Sequence, residues 1–177
     1  MIGATGGMSP VDAVRTCLWK YARFSGRARR SEYWWFALFV VVVAFALSFV
    51  DAALFGGGTA TVDASPRQPI TGIFQLATLL PMLAAGWRRM HDSGRPGWYV
   101  LAPLLFTFAF MFFMLIGVTG VAALGLDEAA FGMLGMGLLI AAILCQIVLT
   151  VLMIWWLTRP SEPGDNRYGP NPHEVSA

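Results

Sequence analysis

Four apolar stretches, at about residues 33–55, 70–87, 98–118 and 131–157, constrain what this chain can fold into. Each is long enough to cross a hydrocarbon core of about 30 Å at about 1.5 Å of helical rise per residue. Backbone amides have no water to bond in that medium, so spanning segments of this length are predicted to be helices. The expected fold class is therefore an all-α membrane protein with four transmembrane helices. The spans leave no segment that could build a soluble core of ordinary size.

Charge gives the orientation. Eleven of the twelve Lys and Arg residues precede the first span, join the second to the third, or follow the fourth; Arg67 alone lies elsewhere. Short loops rich in Lys and Arg stay in the cytoplasm, which predicts cytoplasmic termini and a cytoplasmic central loop. On that side Asp12, Glu32, Asp92, Glu162, Asp165 and Glu174 oppose the eleven bases, leaving a local surplus of +5 although the net charge is +2. A basic inner face suits anionic lipid headgroups. The same charges serve topology, so they do not argue for nucleic acid, and none is expected as a partner. Trp34-Trp35, Trp87, Trp98-Tyr99 and Trp155-Trp156 mark four helix ends at interface level. The first apolar run has no small-residue cleavage pattern close behind it and is expected to remain as a span. Cys17 is expected in the cytoplasm and Cys145 in the bilayer, too differently placed to form a disulfide framework.

Residues 1–9 are expected to be disordered, 10–160 to form the membrane domain, and 161–177 to form a cytoplasmic tail. Ser9-Pro10-Val11-Asp12 has the signature of a helix start, with Ser at the N-cap and Pro in the first turn. Val11, Val14, Leu18 and Tyr21 then follow helical spacing, which predicts an interfacial amphipathic helix over 10–23 that can also dock on the protein's own cytoplasmic face. The outer loop at 56–69 reads as flexible. In the second span Pro81 removes an amide and is expected to free a carbonyl one turn earlier, near Ala77. Gln75 and Thr78, with Gln146 and Thr150 of the fourth span, supply the polar groups of an intramembrane path. Packing between helices is the reading favoured over transport. No strongly charged residue falls at the centre of a span, which speaks against a proton- or ion-coupled transporter.

Three motifs remain: Phe24-Ser25-Gly26-Arg27-Ala28-Arg29-Arg30-Ser31-Glu32-Tyr33-Trp34, Arg88-Arg89-Met90-His91-Asp92-Ser93-Gly94-Arg95-Pro96-Gly97-Trp98, and Gly164-Asp165-Asn166-Arg167-Tyr168-Gly169-Pro170-Asn171-Pro172. In this order they resemble the DUF805 family, small bacterial inner-membrane proteins of unknown function. Met90 stands where the family pattern has Leu. The chain also departs from that pattern after Trp98, where it carries two complete spans. The resemblance implies a bacterial inner-membrane location and supplies no activity.

The residues themselves suggest two roles for this cluster. Glu32 can pair with Arg88 or Arg89, and Asp92 with Arg29 or Arg30, knitting the helix ends together. Alternatively, Arg27, Arg29, Arg30, Arg88, Arg89 and Arg95 leave guanidinium groups open to phosphate oxygens, with His91 as a titratable donor. Asn166 and Tyr168 suggest that the tail docks beneath the bundle. Membrane lipids, anionic phospholipid among them, are the expected partners, with a protein partner or a second copy as further candidates. No His/Cys set has metal-ligand spacing and no convincing nucleophile is signalled, so no metal, cofactor or catalytic residue is expected. The function expected is a non-enzymatic scaffold or binding module; the competing classes are a small-solute transporter or channel and, less favoured, a membrane-embedded enzyme.

Overall fold

The computed structural model describes residues 8–56, 68–124, 128–172 and 174. The N-terminal segment expected to be disordered lies almost wholly outside the described residues, as do most of the first outer loop and His173. The described chain is helical: α1 (Pro10–Trp19), α2 (Arg30–Phe55), α3 (Pro69–Asp92), a 3-10 turn at Gly97–Leu101, α4 (Ala102–Leu124) and α5 (Glu128–Thr158). Among the described residues, four helices are long and apolar enough to cross a membrane. The chain forms two compact units, one of residues 1–97 with 160–177 and one of residues 98–159.

In the first unit α3 packs on α2 and on α1. The buried part of α3 includes Ala84, Ala85 and Gly86, small residues of the kind that allow close backbone approach. At the other end of the pair, the buried carboxylate of Asp51 on α2 accepts the N–H groups of Ile70 (3.0 Å) and Thr71 (2.8 Å). These are first-turn amides of α3 without intrahelical acceptors, so a side chain from the neighbouring helix acts as the cap.

Helix α1 starts as its sequence predicts. Ser9 is the N-cap, its hydroxyl accepts the Asp12 N–H at 3.2 Å, and Pro10 occupies the first turn. It stops at Trp19, one turn short of the expected Arg23. Residues 20–23 instead turn back, with the Arg23 N–H on the Lys20 carbonyl. Ala13 and Cys17 form its buried face, while Val11, Leu18 and Trp19 are exposed. The apolar stripe is thus left uncovered by the rest of the unit, as membrane-surface binding requires.

The second unit pairs α4 with α5. Tyr99 stacks on Trp156 at 5.1 Å, joining the start of one arm to the end of the other. Exposed faces carry Leu105, Phe108, Phe112, Leu144 and Val148, an apolar surface suited to acyl chains.

Candidate functional site

Helix α3 does not end at Trp87, where its apolar run stops, but continues to Asp92. That extra turn puts Arg88, Arg89, His91 and Asp92 on a helix and buries all four. Gly26, with φ +88°, turns the chain into the extended segment before α2. The Ala28 N–H reaches the Arg88 carbonyl at 3.1 Å, so the N-terminal end of α2 and the C-terminal end of α3 lie side by side.

Two carboxylates organise this layer. Glu32 Oε1 accepts Nη2 of Arg88 at 2.9 Å, one of the two pairings open to it. Asp92 takes neither Arg29 nor Arg30, the partners expected. Its Oδ1 accepts Nε of Arg27 at 2.9 Å, and its Oδ2 accepts Arg89 and the Ser161 hydroxyl. Arg89 is three residues back on the same helix, within reach because the helix persists that far. Arg27 lies in extended chain and can turn inward, whereas the Arg29 guanidinium donates to the Pro172 carbonyl. All three ion pairs are buried, so loss of a partner would leave a desolvated charge.

The tail completes the layer. Arg27 donates through Nη1 to the Gly164 carbonyl at 2.7 Å and through Nη2 to that of Glu162. The Glu162 N–H returns a bond to the Asp92 carbonyl at 2.9 Å. Asn166 Nδ2 donates to the His91 carbonyl at 3.0 Å and to Glu162 Oε2 at 2.8 Å. Tyr168 stacks on the His91 ring at 3.8 Å with an interplanar angle of 3°. His91 Nδ1 donates to the Gly26 carbonyl at 3.1 Å, which holds the ring in place. Arg27, Arg29, Glu32, Arg88, Arg89, His91, Asp92, Asn166 and Tyr168 are therefore brought together. Arg30 is exposed beside them, and Arg95 folds back onto the Ser93 carbonyl at 3.1 Å in its own turn.

Beside this lattice lies a basin of about 370 Å³ lined by Lys20, Arg23, Arg27 and Arg88, with Tyr168 and Pro170 on the tail side and no carboxylate among the lining residues. Arg88 Nη1 donates to the Arg23 carbonyl at 2.7 Å and holds the 20–23 turn in position. Arg88 Nε is buried without an acceptor. The Lys20 and Arg23 side chains, unlike those of Arg27 and Arg88, make no ion pair or hydrogen bond among the described residues. The sequence leaves Lys20 and Arg23 outside the candidate cluster, because on a helix continuing to residue 23 they are free to face water or headgroups. A turn at 20–23 places both residues in the lining of the basin instead.

Cys17 packs against Glu32, with Sγ 3.8 Å from its carbonyl oxygen and 4.0 Å from Oε1. Burial, and then the adjacent Glu32 carboxylate, push this thiol up to about 12. At neutral pH it is an inert neutral group. No cluster of three or more His, Cys, Asp or Glu side chains able to hold a metal occurs among the described residues.

The polar residues of the spans fall in both units. Thr78 is buried and donates to the Phe74 carbonyl of its own helix at 2.8 Å, while Gln75 is exposed. Thr150 donates to the Gln146 carbonyl at 2.8 Å. Gln146 Oε1 is buried without a donor, beside a cavity of about 230 Å³ between α4 and α5.

The profile of the family described as "Protein of unknown function (DUF805)" matches residues 21–170. "Inner membrane protein YhaH" of Escherichia coli K12 is 34% identical over 122 residues, covering 69% of this chain and 94% of that protein. "Inner membrane protein YhaI" of the same strain is 36% identical over 81 residues, covering 46% and 61% respectively. No solved structure matches.

Proposed function

Because this chain belongs to the DUF805 family and is an inner-membrane protein, we propose that it acts there as a non-enzymatic binding module whose basic basin holds an anionic lipid headgroup. One observation carries the reading. Four cations line the basin, no carboxylate does, and Lys20 and Arg23 are not neutralised by any side chain among the described residues. Glu32 and Asp92, the buried carboxylates of the layer, are matched with arginines and so do not offset Lys20 and Arg23. Phosphate oxygens accept charge-assisted hydrogen bonds from both cation types. In this reading the basin faces the cytoplasm, where anionic headgroups attract basic segments. The Arg27–Asp92 and Arg88–Glu32 pairs have a positioning role: they hold the tail and the 20–23 turn as the basin's walls.

The test is a titration of delipidated protein in neutral detergent with dihexanoyl phosphatidylglycerol or dihexanoyl phosphatidylcholine, followed by thermal unfolding. The anionic lipid should raise the melting temperature and the zwitterionic lipid should not. Lys20→Ala/Arg23→Ala should remove the difference, with the unliganded melting temperature almost unchanged. Equal shifts with both lipids, or an undiminished shift in the variant, would end the proposal.

A further inference from the structure

The basin does not stand alone. The exposed stripe of α1 faces α2 across an open apolar groove of about 820 Å³, lined by Val11, Val14 and Leu18 on one side and Trp35, Leu38 and Val42 on the other. Residues 35, 38 and 42 recur at helical spacing, so the groove runs along one face of the span. Arg15 is the charged residue of its lining. Trp19, at the end of the groove, also lines a shallow depression of about 440 Å³ shared with Lys20, Arg23 and Ser25. Those last three residues line the basic basin as well. The apolar groove beside the first span and the cationic pocket are thus linked by a depression that shares lining residues with each.

We propose that groove and basin are two halves of one site for a single anionic phospholipid, with an acyl chain between α1 and α2 and the phosphate at Lys20 and Arg23. This rests on the basin's being an anion site and adds that its ligand is a lipid held by its chain, not a free phosphate. Three features fit that occupant. The groove's apolar stripes are matched to a hydrocarbon chain, its one charged lining residue is a cation, and it joins a pocket where positive charge is unopposed. A zwitterionic lipid would leave the basin's surplus unmatched. Inorganic phosphate would leave the groove empty.

Photocrosslinking separates these cases. Full-length protein is placed in phosphatidylcholine nanodiscs containing a minority of phosphatidylglycerol with a mid-chain diazirine, irradiated and digested. Adducts should concentrate on residues 11–19 and 35–42, several-fold above the lipid-facing stretch 104–116 of α4. A phosphatidylcholine probe should label the two regions evenly, and Lys20→Ala/Arg23→Ala should abolish the enrichment. Leu38→Trp, which fills the groove, should abolish it too while leaving the shift with dihexanoyl phosphatidylglycerol intact. Even labelling by the anionic probe overturns the proposal as annular lipid only. If the short-chain lipid still shifts the melting temperature in that case, the basin reading survives alone; if it does not, both fall. Inorganic phosphate that suppresses the enrichment as well as dihexanoyl phosphatidylglycerol does would overturn the lipid assignment and show an anion site with no preference for lipid.

Discussion

The Tyr21 hydroxyl donates a 2.5 Å hydrogen bond to the carbonyl of Ala77, fifty-six residues away. Ala77 stands four residues before Pro81, whose ring nitrogen has no hydrogen to give it. A helix interior that proline would leave with an unmatched acceptor is completed by a side chain from the turn after α1. The proline site in α3 and the placement of the 20–23 turn are thus one feature, and that turn carries two of the basin's four cations, Lys20 and Arg23.

Tyr21→Phe is expected to destabilise the protein by about 1 kcal/mol, the usual net value of such a bond. In a Pro81→Ala background the backbone regains an N–H at position 81 that can serve the Ala77 carbonyl, and the same change should have much less effect. A double-mutant cycle read by denaturant unfolding in detergent checks this; equal effects in the two backgrounds would mean that the hydroxyl does not serve that carbonyl.

Arg27 joins Asp92 to the tail. Arg27→Ala leaves Asp92 short of one donor and frees the carbonyls of Glu162 and Gly164. Loss of one partner from a buried pair typically costs about 3–5 kcal/mol. The tail should open first, because its docking depends on this residue. Trypsin should then cut after Arg167 much faster than in the wild type, before the membrane core loses helicity. Unchanged cleavage would show that other contacts hold the tail.

Gly97 lies where a Cβ would fall inside the Trp87 indole. A rigid ring cannot swing aside as a flexible chain end can. Gly97→Ala is expected to reduce stability by about 1–3 kcal/mol through overpacking. Gly72→Ala, at a position where an added Cβ meets nothing, serves as the control and should be close to neutral. Equal melting temperatures for the two variants would contradict the close approach of Gly97 to the ring.

Burial, reinforced by Glu32, raises the Cys17 thiol from 9.0 to about 12. Below pH 9 both folded and unfolded chains keep the proton, and this group adds no pH dependence. Between pH 9 and 12 the unfolded chain releases a proton that the folded chain retains. Stability should therefore fall with rising pH across that window, by up to about 1.4 kcal/mol per pH unit. Cys17→Ala should remove that component from the unfolding curve. Native Cys17 should also resist maleimide at neutral pH until the protein is unfolded.

Much of the site was legible in the chain. The three motifs do meet, Pro81 does free the Ala77 carbonyl, and Glu32 does find Arg88. Misplaced details share one cause, the positions of helix ends. Apolarity fades at Trp87, but α3 runs on to Asp92, which brings Arg89 rather than Arg29 or Arg30 to that carboxylate. Spacing carries α1 on to Arg23, but the chain turns at Lys20, and two cations that the longer helix would leave free to face water or headgroups line the basin. The groove was also hidden. Helical spacing identifies the Val11, Val14 and Leu18 stripe, yet only the packing of Ala13 and Cys17 against the rest of the unit determines that this stripe borders a groove.

Selection of an acidic lipid by the basin is tested most directly by native mass spectrometry of the protein extracted with its membrane lipids, wild type beside Lys20→Ala/Arg23→Ala. One retained acidic phospholipid is expected on the wild type, with a roughly tenfold loss of that adduct in the variant, the equivalent of about 1.4 kcal/mol. Zwitterionic adducts should be unchanged. Identical lipid profiles from two folded proteins would contradict that selection, and would make Lys20 and Arg23 determinants of topology alone.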